Sequence, residues 1–469
     1  MSIDRLTAED QLMLRGDEIW PQDIGALAIL DGRNLLDPAG RFRIEAARAA
    51  IEARLHLVPR FRQLIHVPRR GLGGPVWMDA PNFDLSEHVH VLPLAAPGGE
   101  AELLLATERL RRQRLDRSRP LWEMWFMPGL PERQIGLFVR MHHAIADGMA
   151  AMATVGAFLD SVPDAPVAPT KAWTPAPLPQ ARDLLADNVL RHLKAIAAAF
   201  GTVARPRSTL RQVLAALPAT RELLAEKPAL KTSLDRVVGP GRNLALIRSS
   251  IQLVKEIAHA YDATVNDVLL AATAGGLRGL LRSRGERVED LTVRIYVPVS
   301  LRRGQRGALE GNLISQMVVP LRLGVSDPGL RLQDIVAETA NRKTRSRTSL
   351  GTLFRSPVAS RLMLKAIYRQ RVNVESADLP GPERPLYFAG ARLLEVFPLL
   401  NLIGNVALGV GALSYAGTFN IGVVADQDSY PDIDVFAASV RDELDALAAS
   451  TGGTSVVTTV DGHHAHAKT

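Results

Sequence analysis

Strand-like and helix-like patterns alternate through both halves of this sequence, which predicts an α/β protein built as two large units. Three observations carry the prediction. The chain has 469 residues, more than one ordinary core accommodates at roughly 150 residues per domain. Its composition, 47% hydrophobic and 22% charged, is that of a globular protein able to bury a large interior. A proline- and alanine-rich stretch at 162–181, VPDAPVAPTKAWTPAPLPQA, breaks the periodic sequence and favours an extended connection over packed structure.

The first unit is expected to span 1–161. Its opening, MSIDRLTAED, has acidic residues and lacks the apolar stretch of a signal peptide, so cytoplasmic synthesis without export is the expectation. Further on, Ile135, Leu137, Val139 and Met141 alternate with Gly136, Phe138, Arg140 and His142 at the two-residue period of a strand, and His143 continues the face of Ile135 to Met141. Asp147 and Gly148 stand where a helix could begin, and Met149 to Leu159 form a small apolar run suited to burial.

Residues 142–148, HHAIADG, therefore place two imidazoles where a strand runs into a turn. An unperturbed imidazole, with a pKa of about 6.5, accepts a proton near neutrality, and a ring presented to a cleft at such a turn suits general-base chemistry. A core histidine is also commonly a satisfied polar residue, so the pair alone leaves the bland reading open. His143 and Asp147 would share a face only if both were helical, and no third ligand follows at characteristic spacing, so no metal is expected. The chain contains no cysteine, which removes disulfides, thiolate metal sites and a cysteine nucleophile. Ser414 lies in ALSYA, without the glycines of a nucleophile elbow. The Gly-rich pieces at 71–74 and 274–276 lack phosphate-loop spacing and read as turns and close packing.

The linker is expected to cover 162–242. After the Pro/Ala segment, residues 182–235 show helical periodicity interrupted at Pro206, Pro218 and Pro228. From Arg191 to Arg242 there are ten Lys or Arg against Glu222, Glu226 and Asp235, an excess equal to the net charge of +7 for the whole chain.

A second α/β unit is expected over 243–455. Residues 264–282 read as a helix entered through Asn266 and Asp267, whose side chains commonly cap such a start, and 291–299 as a buried strand. A second basic run, Arg342 to Arg371, carries nine Lys or Arg and no acid; it reads as a solvated helix face, or as a surface for an anionic membrane or phosphates. With only 5% aromatic residues and no recognised reading module, nucleic acid is not an expected partner. Thirty uncharged positions, 396–425, are long enough to span a membrane. Pro398, Asn401, Asn405 and Asn420, with Gly404, Gly409, Gly411, Gly417 and Gly422, divide them instead into two or three buried strands. Residues 456–469, ending in DGHHAHAKT, are expected to be a disordered tail.

Taken with its companions, HHAIADG resembles the HHxxxDG signature of the chloramphenicol acetyltransferase-like superfamily of CoA-dependent acyltransferases. LDRSRPLWE at 115–123, TVNDVLL at 264–270, PVSLR at 298–302, GN at 311–312 and SYAG at 414–417 narrow the resemblance to the wax ester synthase/diacylglycerol acyltransferase family, across both halves. The resemblance implies two chloramphenicol acetyltransferase-like domains joined by a helical linker, with the active site in a tunnel between them. It implies His143 as general base, His142 and Asp147 as motif support and Gly148 as the residue that allows the turn. It further implies Asn266 and Asp267 as substrate or oxyanion candidates, and Pro120, Leu121, Trp122 and Glu123 as packing and interdomain contacts. The implied reaction moves a long-chain acyl group from acyl-CoA, a co-substrate beside which no cofactor is expected, to diacylglycerol or a long-chain alcohol. Triacylglycerol or wax ester is the product, and peripheral contact with a membrane or lipid bodies is compatible with the basic runs. The alternatives are another hydroxyl acceptor, a carrier-bound donor, or a lipid-binding or lipid-body protein without catalysis. Two departures bear on acceptor contacts and activity level: SADLPGP at 376–382 has Asp378 where the family often has asparagine, and PQDIG at 21–25 has Asp23 where it often has histidine.

Overall fold

A computed structural model of the chain describes residues 3–452 except 8–9, 12, 15–16, 18–19, 147, 167–168, 204–230, 301–313 and 346–371. Most of the second basic run, the middle of the connector, GN at 311–312 and the C-terminal tail lie outside the described residues.

Two six-stranded sheets organise the molecule. The first contains β1 (Asp23–Asp31), β4 (Val89–Val91), β5 (Trp122–Pro128), β6 (Gln134–His142), β11 (Tyr387–Phe388) and β12 (Ala391–Leu399), in the order β11-β12-β1-β6-β5-β4. The second contains β7 (Arg242–Ser250), β8 (Thr292–Ser300), β9 (Ile314–Arg322), β10 (Val372–Pro380), β13 (Leu408–Tyr415) and β14 (Thr418–Asp426), in the order β7-β14-β13-β10-β8-β9. A small ribbon pairs β2 (Gln63–His66) with β3 (Val76–Asp79). Among the described residues from 162 to 180 there is no helix or strand, and Ala181–Val203 is a long helix.

The uncharged stretch forms strands, as its prolines, asparagines and glycines predict: it supplies the end of β12 and most of β13 and β14. No helix among the described residues is long and apolar enough to cross a membrane. One of these strands joins the first sheet although it comes late in the chain. β12 pairs antiparallel with β1, from Gly25 opposite Leu399 to Leu30 opposite Leu393. Tyr415, at the end of β13, fixes that crossing, because its hydroxyl donates to the Leu393 carbonyl (2.9 Å) and accepts from the Leu386 N–H (2.8 Å).

The helices Val265–Ser283 and Ile433–Ser450 pack together over the second sheet. Glycine at 276 is what lets them approach, since a Cβ there would lie 2.5 Å from Val440 Cγ2 and 2.7 Å from the Phe436 ring. The 274–276 segment is thus close packing, as its sequence suggests, while Gly71 and Gly73 adopt the left-handed conformations of turns.

Across the junction of the halves, Asn401 Nδ2 donates to Gln22 Oε1 (3.0 Å), Trp20 Nε1 to the Val238 carbonyl (3.2 Å), and the Leu244 N–H to Glu108 (3.0 Å). Arg248 bridges Glu100 (2.6 Å) and Glu395 (2.7 Å). Leu27, Leu103 and Phe138 share one buried cluster with Leu399, Phe419 and Ile421, so the halves meet over apolar surface.

Candidate active site

β6 is flanked by β1 and β5 and buries both faces: Ile135, Leu137, Val139 and Met141 enter one cluster, Phe138 the other. A strand with no solvent face cannot leave a charge unpaired. Arg140, buried at 1% exposure, donates to Glu123 on β5 (2.8 and 3.1 Å) and to the carbonyls of Leu110 (2.8 Å) and Gln113 (2.6 Å). Asp23 stands 3.8 Å from the same guanidinium, and Trp125 Nε1 also donates to Glu123 (2.8 Å). Trp122 donates to the Phe61 carbonyl (2.8 Å) and stacks between Phe61 and His88, and the Leu121 carbonyl receives the His142 N–H (2.9 Å). Leu121, Trp122 and Glu123 therefore brace β6 from within the first half. The interdomain contacts expected of Trp122 and Glu123 are corrected to contacts within the first half: Trp122 packs on Phe61 and His88, and pairing in register sets Glu123 opposite Arg140. Pro120 is buried beside them and its carbonyl accepts from the Trp122 N–H (2.9 Å).

The two histidines sit in different surroundings. His142 ends β6 opposite Asp23 and is buried at 1% exposure. Its Nδ1 accepts the Ala144 N–H (3.0 Å), so in the neutral ring the proton is on Nε2, which faces Asp17 Oδ1 at 3.7 Å. Burial lowers the His142 pKa to about 4, with Asp17 opposing that fall. The ring is thus neutral near pH 7. Asp17 is held by Arg117 (2.9 Å) and by the Gln22 N–H (2.9 Å). His143 lies one residue beyond the assigned strand, at the start of the turn. Its N–H donates to the Gln22 carbonyl (2.8 Å), and its side chain is half-buried. Of the pair, His143 is the residue that retains accessible surface, with its Nδ1 turned inward.

Asp147 lies outside the described residues. Gly148 opens the helix Gly148–Gly156 without a left-handed backbone angle, so the expectation that it allows a turn is corrected. A Cβ at Gly148 would stand 3.7 Å from Leu379 Cδ2, so the start of this helix faces the end of β10 in the second sheet.

In the second half the NDV helix begins at Thr264 rather than at Asn266 or Asp267. Thr264 Oγ1 accepts the Asp267 N–H (3.2 Å), and Asp267 Oδ2 accepts the N–H (2.9 Å) and hydroxyl (2.6 Å) of Thr264. Asp267 Oδ1 accepts the Thr339 hydroxyl (2.8 Å). An acceptor so engaged has no proton for an oxyanion, so Asp267 is a folding residue and its oxyanion assignment is corrected. Asn266, half-buried in the first turn, is not the cap. Asp378 on β10 is partly buried, and desolvation raises its pKa to about 6.

Sequence reading missed Asp17, Gln22, Arg117 and Arg140 as supports. Arg140 alone carried a signal, a charge inside an otherwise apolar strand pattern; the others meet the motif only through the fold.

The family model of the wax ester synthase/diacylglycerol acyltransferase catalytic domain matches residues 6–269, and that of the WS/DGAT C-terminal domain matches 310–448. A Mycobacterium tuberculosis protein described as a probable diacylglycerol O-acyltransferase, tgs1, is 28% identical over 448 residues, covering 91% of each chain. A second, tgs2, is 31% identical over 406 residues, covering 84% of this chain and 88% of the relative. Among solved structures, a wax ester synthase/diacylglycerol acyltransferase from Marinobacter aquaeolei is similar with a TM-score of 0.68 at 24% identity, covering 96% of this chain and all of that one. The first condensation domain of the CDA synthetase follows with a TM-score of 0.62 at 15% identity, covering 95% and 96%. These two likenesses support the fold, two chloramphenicol acetyltransferase-like domains.

Proposed function

The chain belongs to the wax ester synthase/diacylglycerol acyltransferase family, and on that footing we propose that it transfers a long-chain acyl group from acyl-CoA to the hydroxyl of diacylglycerol or a long-chain alcohol, with His143 as general base. The observation that carries the residue assignment is the contrast within the pair: His142 is buried and neutral with Nδ1 occupied, while His143 keeps accessible surface at the turn.

In this reading both lipid chains reach His143 through a passage between the halves. His143 takes the hydroxyl proton as the oxygen attacks the thioester carbonyl; the tetrahedral adduct then collapses, the C–S bond breaks, and the CoA thiolate leaves with that proton. Ester and free CoA are the products, and no acyl-enzyme forms. General-base assistance is typically worth about 10²- to 10⁴-fold, roughly 3 to 5 kcal/mol of barrier, so positioning and oxyanion stabilisation supply the remainder. Asn266 is the proposed oxyanion donor, supported by its place at the start of a helix whose cap is another residue. The basic runs support peripheral contact with an anionic membrane or lipid body.

The test is to incubate the purified protein with labelled palmitoyl-CoA, or with palmitoyl on an acyl carrier protein, and a mixture of hexadecanol and dioleoylglycerol, and to resolve the lipids. Wax ester or triacylglycerol from the CoA donor is expected. Product from the carrier alone, or none with either, contradicts the reading.

A further inference from the structure

β10 turns one of its faces toward the candidate site. Leu379 reaches the start of the motif helix at Gly148 and packs against the apolar cluster of the first sheet. Register with β13 runs unbroken from Val374 to Pro380, so Ala377 and Glu375 share the face of Leu379, with Glu375 about 13 Å back along the strand at the usual rise per residue. Glu375 lies opposite Tyr296 on β8 and opposite Gly409 on β13. Leu400 packs over Gly409, 3.0 Å from where a Cβ would be, which gives that side an apolar wall.

Among the described residues, neither Glu375 nor Tyr296 has a hydrogen-bond or ion-pair partner, yet both keep some accessible surface. Burial raises the Glu375 carboxyl to about 7 and lifts the Tyr296 phenol well above its ordinary value, Glu375 adding to that rise. Near neutral pH much of the pair is therefore uncharged, offering two O–H donors and several acceptor lone pairs beside the apolar Ala377, Leu379 and Leu400, with the buried Arg294 two residues before Tyr296 on β8. Polar groups left without partners in such a place are costly, and leucine and phenylalanine would fill the same space without that cost. A neutral hydroxyl can donate to one member and accept from the other, whereas a plain methylene leaves both unsatisfied.

We propose that Glu375 and Tyr296 form a hydrogen-bonding station for a hydroxyl carried part-way along a substrate hydrocarbon chain, so that the enzyme favours hydroxylated chains over plain ones. The proposal rests on the acyltransferase reading and adds a chain specificity to it. It is tested by measuring kcat/KM for 12-hydroxystearoyl-CoA against stearoyl-CoA with hexadecanol as acceptor, and for 1,12-dodecanediol against 1-dodecanol with stearoyl-CoA as donor. Wild type, Glu375→Leu, Glu375→Gln and Tyr296→Phe are compared. One or two hydrogen bonds left unmade correspond to about a fivefold to tenfold fall in the hydroxylated-to-plain ratio in Glu375→Leu. A smaller fall is expected in Tyr296→Phe, and Glu375→Gln should retain most of the wild-type ratio. The pair of substrates that shows the change tells which chain runs along β10. If plain substrates are turned over and neither ratio differs between wild type and the folded variants, the station does not exist. If wild type turns over none of the four, the acyltransferase reading itself falls, and this proposal with it.

Discussion

β6 and β10 bring their C-terminal ends to the same part of the molecule, one carrying the histidine pair and the other Leu379 against the motif helix, yet they treat charge in opposite ways. Around β6 the charges are matched: Arg140 has Glu123 and two backbone carbonyls, and Asp17 has Arg117 and a backbone N–H. On β10, burial raises Glu375 and Asp378, and neither has an ion-pair partner among the described residues. Paired charges hold geometry, and here they hold the strand that presents the imidazoles. Unpaired carboxyls cost stability and are retained where a neutral polar group is useful, as in contact with substrate.

The contrast predicts opposite signs for charge removal. Glu123→Leu leaves Arg140 buried without its carboxylate and should destabilise the fold by about 3 to 5 kcal/mol, read from urea unfolding; a loss under 1 kcal/mol would mean the pair is not what holds β6. Asp17→Asn removes the carboxylate facing His142 and should lower activity several-fold while the fold persists, measured as kcat with a melting curve alongside. Unchanged kcat would separate Asp17 from the site.

Asp378→Asn should do the reverse and stabilise the protein at pH 8, by about 1 kcal/mol once partial exposure is allowed for. The sign follows from the raised pKa: the folded state holds its proton more tightly than the unfolded chain. The wild-type carboxyl is therefore harmless below its ordinary 3.8, and stability is lost as pH rises through about 6. The advantage of the variant should vanish at pH 3.5. Glu375→Gln should behave alike with its window between 4.5 and about 7. Variants less stable than wild type at pH 8 would erase the contrast between the two strands.

What could be read from the sequence was local. The two-residue alternation before His142 located β6, the uncharged stretch resolved into strands at its glycines and prolines, and HHAIADG fell at a strand-to-turn junction. What could not be read depends on partners far apart in the chain. Nothing in residues 391–399 announces that they pair with β1 across more than 360 positions, and nothing local brings Asp17 to His142. Asn266 and Thr264 are both good caps by residue type, so only backbone geometry shows that the helix starts at Thr264. Glycine at 148 looked like a turn residue, and in the structure it opens a helix whose start faces Leu379.

The central claim, that His143 rather than His142 handles the proton, is tested most directly by His143→Ala. With palmitoyl-CoA and hexadecanol or dioleoylglycerol, kcat should fall by about 10²- to 10⁴-fold while the melting temperature stays close to wild type, since this residue is not sealed in the core. Ester formation at the wild-type rate by folded His143→Ala protein would contradict the account.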